Sequence, residues 1–204
     1  MRMRAAMVFA WTLFALALAA FVFALISRQA ALKQPEPLPV MGTMDAPFKL
    51  TNQWGETVTH EQLKGKVWVA YFFFTRCPSV CPIMNRNAIA VQRAYANNPD
   101  VILVGFSVDP EHDTVAVLKK WSERHEAIKG KWHFLTGDRK TIYELSRQTF
   151  KLGVEPGDKD HPIVHSDRLV LIDRQGRIRG YYSGMNPETV QQLIHDIARV
   201  LNEQ

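Results

Sequence analysis

Apolar residues fall into a few dense runs along the chain, and these runs predict most of its strands. Residues 67–74 and 101–108 are nearly continuous apolar runs rich in β-branched and aromatic side chains, which is typical of strands buried on both faces. A third run at 168–173 turns through a glycine into residues 178–182, and this pattern predicts an antiparallel hairpin. Residues 48–58 alternate between apolar and polar around another glycine turn and predict a second hairpin.

Segments with helical periodicity alternate with these strands. The predicted helices cover residues 82–96, 114–127, 139–150 and 187–201, and a short strand at 132–135 lies between the second and the third. Alternation of strands and helices gives a mainly parallel sheet with helices on both of its faces. The sequence therefore predicts an α/β protein with a thioredoxin-like fold, in which helices flank a central mixed β-sheet.

The amino-terminal segment has a different character. From residue 5 to residue 26 only Thr12 is not apolar, and a helix of that length is about 33 Å long, which matches a hydrocarbon core of roughly 30 Å. We therefore predict an N-terminal transmembrane helix that serves as an anchor over residues 1–27. A cleaved signal peptide is the alternative, since Arg2 and Arg4 precede the run, but the run exceeds the roughly 7–15 apolar residues of a signal peptide.

The anchor implies an order of segments along the 204 residues. Residues 28–45 include a proline-rich stretch and are predicted to form an extended tether, and residues 46–204 form the folded domain. With either an anchor or a cleaved signal the domain is exported. We expect a single-pass protein of the cell inner membrane whose soluble domain lies on the extracytoplasmic, periplasmic side.

Charge restricts the classes of partner. The chain has 25 basic and 20 acidic residues, a formal net charge of +5. Without Arg2 and Arg4 the excess falls to about +3, and the remaining basic residues are scattered rather than clustered. No nucleic-acid partner is therefore predicted.

The two cysteines of the chain lie close together, in the segment Cys77-Pro-Ser-Val-Cys81 directly after the first buried strand. Open α/β sheets carry their active sites at the carboxyl ends of strands. If a helix begins near Pro78, the two thiols are about one turn apart and face the same way, and Cys77 lies at the positive end of the helix dipole. That position favours the thiolate, which is both the nucleophile of disulfide exchange and a ligand for soft metals.

A structural disulfide is the simplest alternative for this pair. A disulfide between Cys77 and Cys81 would close a very short loop, and the stabilisation from loop closure grows with loop length. A redox-active dithiol or a metal site is therefore the preferred interpretation of the two cysteines, and the spacing alone leaves both open.

Four motifs in a fixed order resemble the Sco/SenC family of copper-assembly proteins of cytochrome c oxidase. The resemblance covers residues 46–204, and the predicted anchor fits the architecture of that family. The motifs are Thr75-Arg-Cys-Pro-Ser-Val-Cys-Pro82, Phe106-Ser-Val-Asp-Pro-Glu-His-Asp-Thr114, Trp132-His-Phe-Leu-Thr-Gly137, and Val164-His165-Ser166 before Leu169-Val-Leu-Ile-Asp173.

The resemblance implies that Cys77, Cys81 and His165 bind one copper ion per chain. It also implies that the protein delivers this copper to the binuclear site of cytochrome c oxidase subunit II or reduces the cysteines of that site, with another copper chaperone as a donor. Two thiolates and one imidazole suit Cu(I) and can also accept Cu(II). Because copper needs deprotonated thiols, metal binding competes with a Cys77–Cys81 disulfide.

Four further residues could contribute to such a site. His161 is the rival of His165, since both follow or lie in a polar stretch at 151–164 that is long enough to be a functional loop. Met84 and Met44 are soft enough to bind copper, but core packing is favoured for Met84. Asp109 is expected to act as a helix cap or as a polar wall of the site, with the structural role favoured.

Val164 is the one departure from the family pattern, because an acidic residue commonly precedes the histidine there. The absence of a carboxylate at this position affects the tuning of the site more than the choice of ligands. Asp160 and Asp167 are the nearby residues that could supply the charge instead.

Three further functions compete with a copper chaperone. The main alternative is a thiol-disulfide reductase that uses Cys77 and Cys81 without metal. Because of this alternative, the sequence leaves open whether the protein is an enzyme. A peroxidase fits the fold, but its catalytic cysteine occurs in a different local pattern. A sensor of redox or copper status is the third alternative.

Overall fold

The computed structural model describes residue 11 and residues 14–25, 36–156 and 163–203, which fall into two compact units, Met1–Glu36 and Pro37–Gln204. In the first unit residues 14–25 are helical. Within the described parts of the chain, no helix has both the length and the apolar character that crossing a bilayer requires. The anchor predicted over residues 1–27 falls partly outside the described residues and stays a prediction.

The second unit is built around one eight-stranded mixed sheet, whose strands lie in the order β1-β10-β9-β4-β5-β6-β2-β3. A separate two-stranded sheet is formed by β7 and β8. The strands are β1 (Gly42–Thr43), β2 (Lys49–Asn52), β3 (Thr57–Thr59), β4 (Val67–Phe73), β5 (Val101–Ser107), β6 (Trp132–Thr136), β7 (Val154–Pro156), β8 (Ile163–His165), β9 (Arg168–Ile172) and β10 (Arg177–Ser183).

The centre of the sheet is where the sequence predicted it. Every residue of β4 and of β5 is buried, and the two strands pair in parallel from Val67↔Val101 to Phe73↔Ser107. On the other side β4 pairs antiparallel with β9, which continues into β10 as an antiparallel hairpin. The predicted α/β architecture with a mixed central sheet is therefore confirmed, and the carboxyl ends of β4 and β5 lie side by side.

Among the described residues of the second unit, five α-helices accompany the sheet: α1 (His60–Leu63), α2 (Val80–Ala94), α3 (Val115–Arg124), α4 (Arg139–Glu144) and α5 (Pro187–Asn202). The side chains of Thr114, Asp138 and Asn186 accept hydrogen bonds from amides in the first turns of α3, α4 and α5, which explains where these helices begin. The cap of α3 is therefore Thr114, and the prediction that Asp109 caps this helix is wrong.

Three local features differ from the sequence prediction. Helix α4 is shorter than predicted, because Leu145–Thr149 continues it as a π-helical turn. The polar stretch at 151–164 contributes the β7–β8 hairpin, in which Val154 pairs with His165. Packing of the second unit also begins before residue 46, since β1 pairs with β10.

The early start of this unit depends on Arg179, which is buried. Its guanidinium donates to the carbonyl oxygens of Leu38 and Pro39 and pairs with Asp173, while the backbone amide of Leu38 donates to Glu203 at 3.1 Å. A buried arginine is stable only when its donors are satisfied, and here the two carbonyls and the carboxylates satisfy them.

Candidate metal centre

Cys77, Cys81 and His165 meet at the carboxyl end of β4, where three separate elements contribute one side chain each. Their ligand atoms all lie within 4.8 Å of one another, and His165 Nε2 is 3.0 Å from Cys81 Sγ. Cys81 is fully buried and Cys77 is 8% exposed. The structure thus brings together the three side chains selected from the sequence, with one thiol at the surface of the cluster and the other beneath it.

The local chain path explains the placement of the two sulfur atoms. After β4 the chain turns, with the amide of Cys77 donating to the carbonyl of Phe74 at 3.3 Å. Helix α2 begins at Val80, two residues later than the start expected near Pro78, so Cys77 and Pro78 both lie before the helix. The amide of Cys81, in the first turn, donates to Cys77 Sγ at 3.4 Å. Cys77 sulfur therefore accepts from one of the free amides that open a helix.

The two thiols have opposite electrostatic surroundings. A hydrogen bond from Cys81 is the main reason why the pKa of Cys77 falls from 9.0 to about 3, and backbone amides act in the same direction. Burial is the main reason why the pKa of the Cys81 thiol is raised, and the neighbouring Cys77 thiolate adds to the effect. In the metal-free state the pair holds one thiolate, on Cys77, which the Cys81 thiol stabilises.

The ring of His165 is oriented by the backbone. Its Nδ1 lies 2.9 Å from the carbonyl oxygen of Ser166, and since a carbonyl can only accept, Nδ1 carries the hydrogen in this arrangement. Nε2 then points its lone pair toward the cysteines, which is the tautomer a metal ligand needs. The ring also packs edge-on against Phe74, with centroids 5.6 Å apart and an interplanar angle of 82°.

No carboxylate takes this orienting role among the described residues. Val164, where an acidic residue was expected from the resemblance, is 56% exposed. Asp167 accepts from the Ser183 hydroxyl at 2.5 Å and lies 3.5 Å from Arg168 Nε. Asp160 and the rival ligand His161 lie outside the described residues. The carbonyl of Ser166 is therefore the partner that sequence reasoning missed, because a backbone acceptor leaves no signal in the sequence.

A cleft of about 140 Å³ opens beside the centre. Apolar groups form most of its walls, and Val164 is exposed on its rim. The lining residues are Phe74, Cys77, Pro78, Ser79, Val80, Ile163, Val164 and His165. Cys77 and His165 are therefore within reach of a small ion or of a group on another protein, whereas Cys81 lies behind them.

Beneath the centre, buried polar groups hold the first turn of α2. Asn85 Nδ2 donates to the Cys81 carbonyl oxygen at 2.8 Å, and Asn85 Oδ1 accepts from the Tyr71 hydroxyl at 2.7 Å. The Tyr71 oxygen in turn accepts from Trp132 Nε1 at 2.9 Å. Because each buried polar group has a partner, this chain of hydrogen bonds stabilises the helix start that carries Cys81.

The two methionines considered as copper ligands are both buried in the hydrophobic core. Met84 is fully buried and faces Gly184, where an added Cβ would lie 3.0 Å from its Cγ, so it packs in the core. Met44 is 8% exposed and is part of the same hydrophobic core. Core packing, the role favoured for Met84, is therefore what the structure shows.

A second group of ligand-type side chains, Asp109, His112 and Asp113, also lies within 4.8 Å. Its carboxylates are already used: Asp109 Oδ2 accepts from Arg76 at 2.6 and 3.1 Å, and Asp113 accepts from Thr75 and Ser107. A cation there would have to displace these donors. We therefore interpret this group as a hydrogen-bonding support for the cysteine loop.

Comparison with known proteins identifies the family. The profile of the SCO1/SenC family matches residues 39–202, which is most of the chain. The chain belongs to the SCO1/SenC family. The resemblance found in the four sequence motifs is thereby confirmed, and it extends a few residues before the predicted start at residue 46.

Individual members of the family are similar over most of their length. The SCO1 protein homolog of Bacillus subtilis (strain 168) is 34% identical over 153 residues, which cover 74% of this chain and 79% of the relative. A solved structure of BsSco, described as a member of the Sco family of cytochrome c oxidase assembly proteins, is 30% identical with a TM-score of 0.72 and covers 83% of this chain and 100% of its own.

A similar protein has been solved with copper. ScoI of Bradyrhizobium japonicum with copper bound is 30% identical, has a TM-score of 0.66, and the match covers 76% of this chain and 98% of that one. Copper is thus the metal present in the solved structure of a protein that is similar to this chain. The donor set of Cys77, Cys81 and His165 fits it chemically, since thiolates select soft copper and imidazole is a common copper ligand.

Proposed function

We propose that this protein is a copper chaperone that binds one copper ion through Cys77 Sγ, Cys81 Sγ and His165 Nε2. The observation that carries the proposal is the convergence of these ligand atoms within 4.8 Å in a chain that belongs to the SCO1/SenC family. The hydrogen bond from Nδ1 to the Ser166 carbonyl leaves Nε2 available. Copper is the cargo of this site, and the two thiolates supply the negative charge that retains it.

We further propose that the recipient is the binuclear copper site of cytochrome c oxidase subunit II and that another copper chaperone is the donor. Cys77 and His165 line the cleft, and this supports exchange between proteins, because a second protein's ligands can approach the ion from that side. Cys81, which is fully buried, would be the last ligand to release the ion.

The location that this function needs is also a proposal. The apolar run at residues 5–26 supports an anchor in the cell inner membrane, with the tether and the domain on the periplasmic side. Extraction of membranes with alkaline carbonate and protease treatment of spheroplasts test this arrangement. We expect the chain to stay in the membrane pellet and the domain to be digested from outside, whereas release into the supernatant contradicts the anchor.

The copper site is tested with the full chain in detergent micelles. Reduced protein is titrated with Cu(I) in competition with a chromophoric chelator, for the parent and for Cys77→Ala, Cys81→Ala and His165→Ala. Each variant should lose more affinity than the roughly 10–100-fold that follows the loss of a hydrogen-bond partner of a metal ligand. His195→Ala is the matched control, because His195 is a surface histidine whose side chain is 71% exposed.

Delivery is tested by mixing the copper-loaded chain with the metal-free soluble domain of subunit II. We expect Cu(I) to leave the parent and two copper ions per recipient domain to be found by metal analysis after the two proteins are separated. Copper that stays bound to the parent, with the recipient properly folded and reduced, contradicts the role as a donor to subunit II.

A metal-free thiol-disulfide reductase is the second candidate, and the unequal thiols favour it. The Cys77 thiolate can attack a partner disulfide, forming a mixed disulfide and releasing one partner thiolate. Cys81 then loses its proton and attacks Cys77 sulfur, which releases the second partner thiol and leaves a Cys77–Cys81 disulfide. If His165→Ala binds copper like the parent while both cysteine variants lose disulfide reduction, this candidate replaces the chaperone.

A further inference from the structure

The turn between β5 and α3 reaches the chain segment that precedes Cys77. Asp113, in this turn, is fully buried. Its Oδ2 accepts from the Thr75 amide at 3.1 Å and from the Ser107 hydroxyl at 2.5 Å, and its Oδ1 accepts from the Thr75 hydroxyl at 2.5 Å. His112 Nδ1 lies 3.0 Å from the same Oδ1. Thr75 is therefore held by both its backbone and its side chain.

The groups around Asp113 are hydrogen-bond donors that a carboxylate can accept from. The Thr75 amide is a donor, and the Thr75 and Ser107 hydroxyls point at carboxylate oxygens that can only accept. An asparagine in the same place would turn an amide NH₂ toward at least one of these donors, so at least one of the present hydrogen bonds would be lost or reversed. A buried carboxylate is costly unless it is fully hydrogen-bonded, and here it is.

The same turn also holds the next residue. Arg76 donates twice to Asp109 Oδ2, and the amide of Asp113 donates to the Asp109 carbonyl at 2.8 Å. The amide of Asp109 donates to the Ser107 hydroxyl at 3.1 Å. Two successive residues before Cys77 are thus tied to one turn that is itself closed by hydrogen bonds.

We propose that Asp113 is a positioning residue of the dithiol and copper centre: by holding Thr75, it fixes the turn that sets Cys77 Sγ against the first turn of α2. The part of this proposal that concerns copper rests on the proposed function, and the part that concerns the dithiol does not. Without this hold the Cys77 side chain samples more positions, so copper leaves more easily and the Cys77–Cys81 disulfide forms less favourably.

The test uses the full chain in detergent micelles and the variants Asp113→Asn, Thr75→Val and Thr75→Ser. Thr75→Val removes the hydroxyl donor without a change in charge, and Thr75→Ser restores it. Asp138→Asn is the matched control: Asp138 accepts from the Thr141 amide at 2.7 Å and hydroxyl at 2.8 Å, the same pair of donors, at the exposed start of α4.

Three quantities are measured for each variant. These are the Cu(I) dissociation constant against a chromophoric chelator, the Cys77–Cys81 equilibrium with dithiothreitol, and the melting temperature. In the second measurement the two protein thiols give two electrons and two protons to oxidised dithiothreitol, so that one S–S bond forms in the protein while the S–S bond of the reagent breaks and its two thiols are restored.

We expect Asp113→Asn and Thr75→Val to weaken copper binding by about tenfold and to raise the reduction potential by about 30 mV, which is a tenfold change for this two-electron couple. Thr75→Ser and Asp138→Asn should match the parent in both. The proposal is overturned if Asp113→Asn and Thr75→Val lower only the melting temperature, as a merely structural residue would.

Two further outcomes distinguish a failure of the proposal about Asp113 from a failure of the proposed copper function. If Asp113→Asn does not fold, the comparison of Thr75→Val with Thr75→Ser decides, because equal constants for the two overturn the proposal. If the parent itself fails to retain Cu(I), the proposed copper function fails, while the equilibrium with dithiothreitol still measures the effect of Asp113 on the dithiol.

Discussion

The unequal pKa values of the two thiols lead to a prediction about pH. Cys77 owes its pKa of about 3 first to the hydrogen bond from Cys81 and then to the backbone amides. Cys81→Ala removes the largest of these causes, so the pKa of Cys77 should rise toward its ordinary value of 9.0. The thiolate is the form that reacts, and it predominates above the pKa, so the variant should lose reactivity as the pH falls below neutrality while the parent should not.

The effect is seen in how the alkylation rate of Cys77 changes with pH and not in the rate at any single pH. At pH 6 a thiol with a pKa of 9.0 is about 0.1% ionised, which gives a fully ionised Cys77 an advantage of about a thousandfold. A thiolate is also less nucleophilic when its pKa is low. If alkylation follows the trend of disulfide exchange, a thiolate with a pKa of about 3 reacts roughly 250- to 1,000-fold more slowly than one with a pKa of 9.0. The two effects nearly cancel near pH 6, so rates at a single pH are uninformative.

The assay is alkylation of Cys77 by iodoacetamide between pH 4 and pH 9, followed by mass spectrometry of the peptide that contains it. We expect a nearly constant rate for the parent over this range, since the pKa of Cys77, about 3, lies below pH 4. For Cys81→Ala we expect a rate that falls about tenfold per pH unit below its inflection. A parent profile that already falls tenfold per unit, or identical profiles for the two proteins, refutes the stabilisation of the Cys77 thiolate by Cys81.

Two predictions concern the scaffold of the centre, and both are measured by urea unfolding. Gly105→Ala should lower the free energy of unfolding by about 1–3 kcal/mol, because the new Cβ would lie 2.9 Å from the Tyr71 ring and 3.0 Å from the Phe73 ring; unchanged stability contradicts this packing. Tyr71→Phe should cost about 1–3 kcal/mol for each of two buried groups left unsatisfied, Asn85 Oδ1 and Trp132 Nε1. A loss below 1 kcal/mol contradicts the proposed chain of hydrogen bonds.

Much of the fold can be predicted from the sequence, because the signals are local. The apolar runs that became β4, β5 and β9 are short, continuous and rich in β-branched or aromatic residues, which distinguishes buried strands from amphipathic helices. The β9–β10 hairpin follows from its glycine turn. The π-helical turn Leu145–Thr149 could not be predicted, since a π-helix shares the composition of an α-helix and differs only in its hydrogen bonds.

The metal centre likewise has one part that local sequence predicts and one part that it does not. Cys77 and Cys81 are four residues apart after a buried strand, so the sequence by itself determined that two thiols meet at a strand end. His165 is 84 positions from Cys81, and it was selected by resemblance to a family, since local pattern alone cannot distinguish one histidine from another.

Only the tertiary structure decided how His165 reaches the thiols and what surrounds them. The β7–β8 hairpin carries the imidazole to Cys81, the Ser166 carbonyl orients the ring, and Asp113 contacts Thr75 across 38 positions. These contacts join segments that are distant in sequence, and a hydrogen bond between such segments depends on the packing of the whole sheet. Local propensities carry no information about it, whereas strand burial and the cysteine spacing are properties of short stretches of chain.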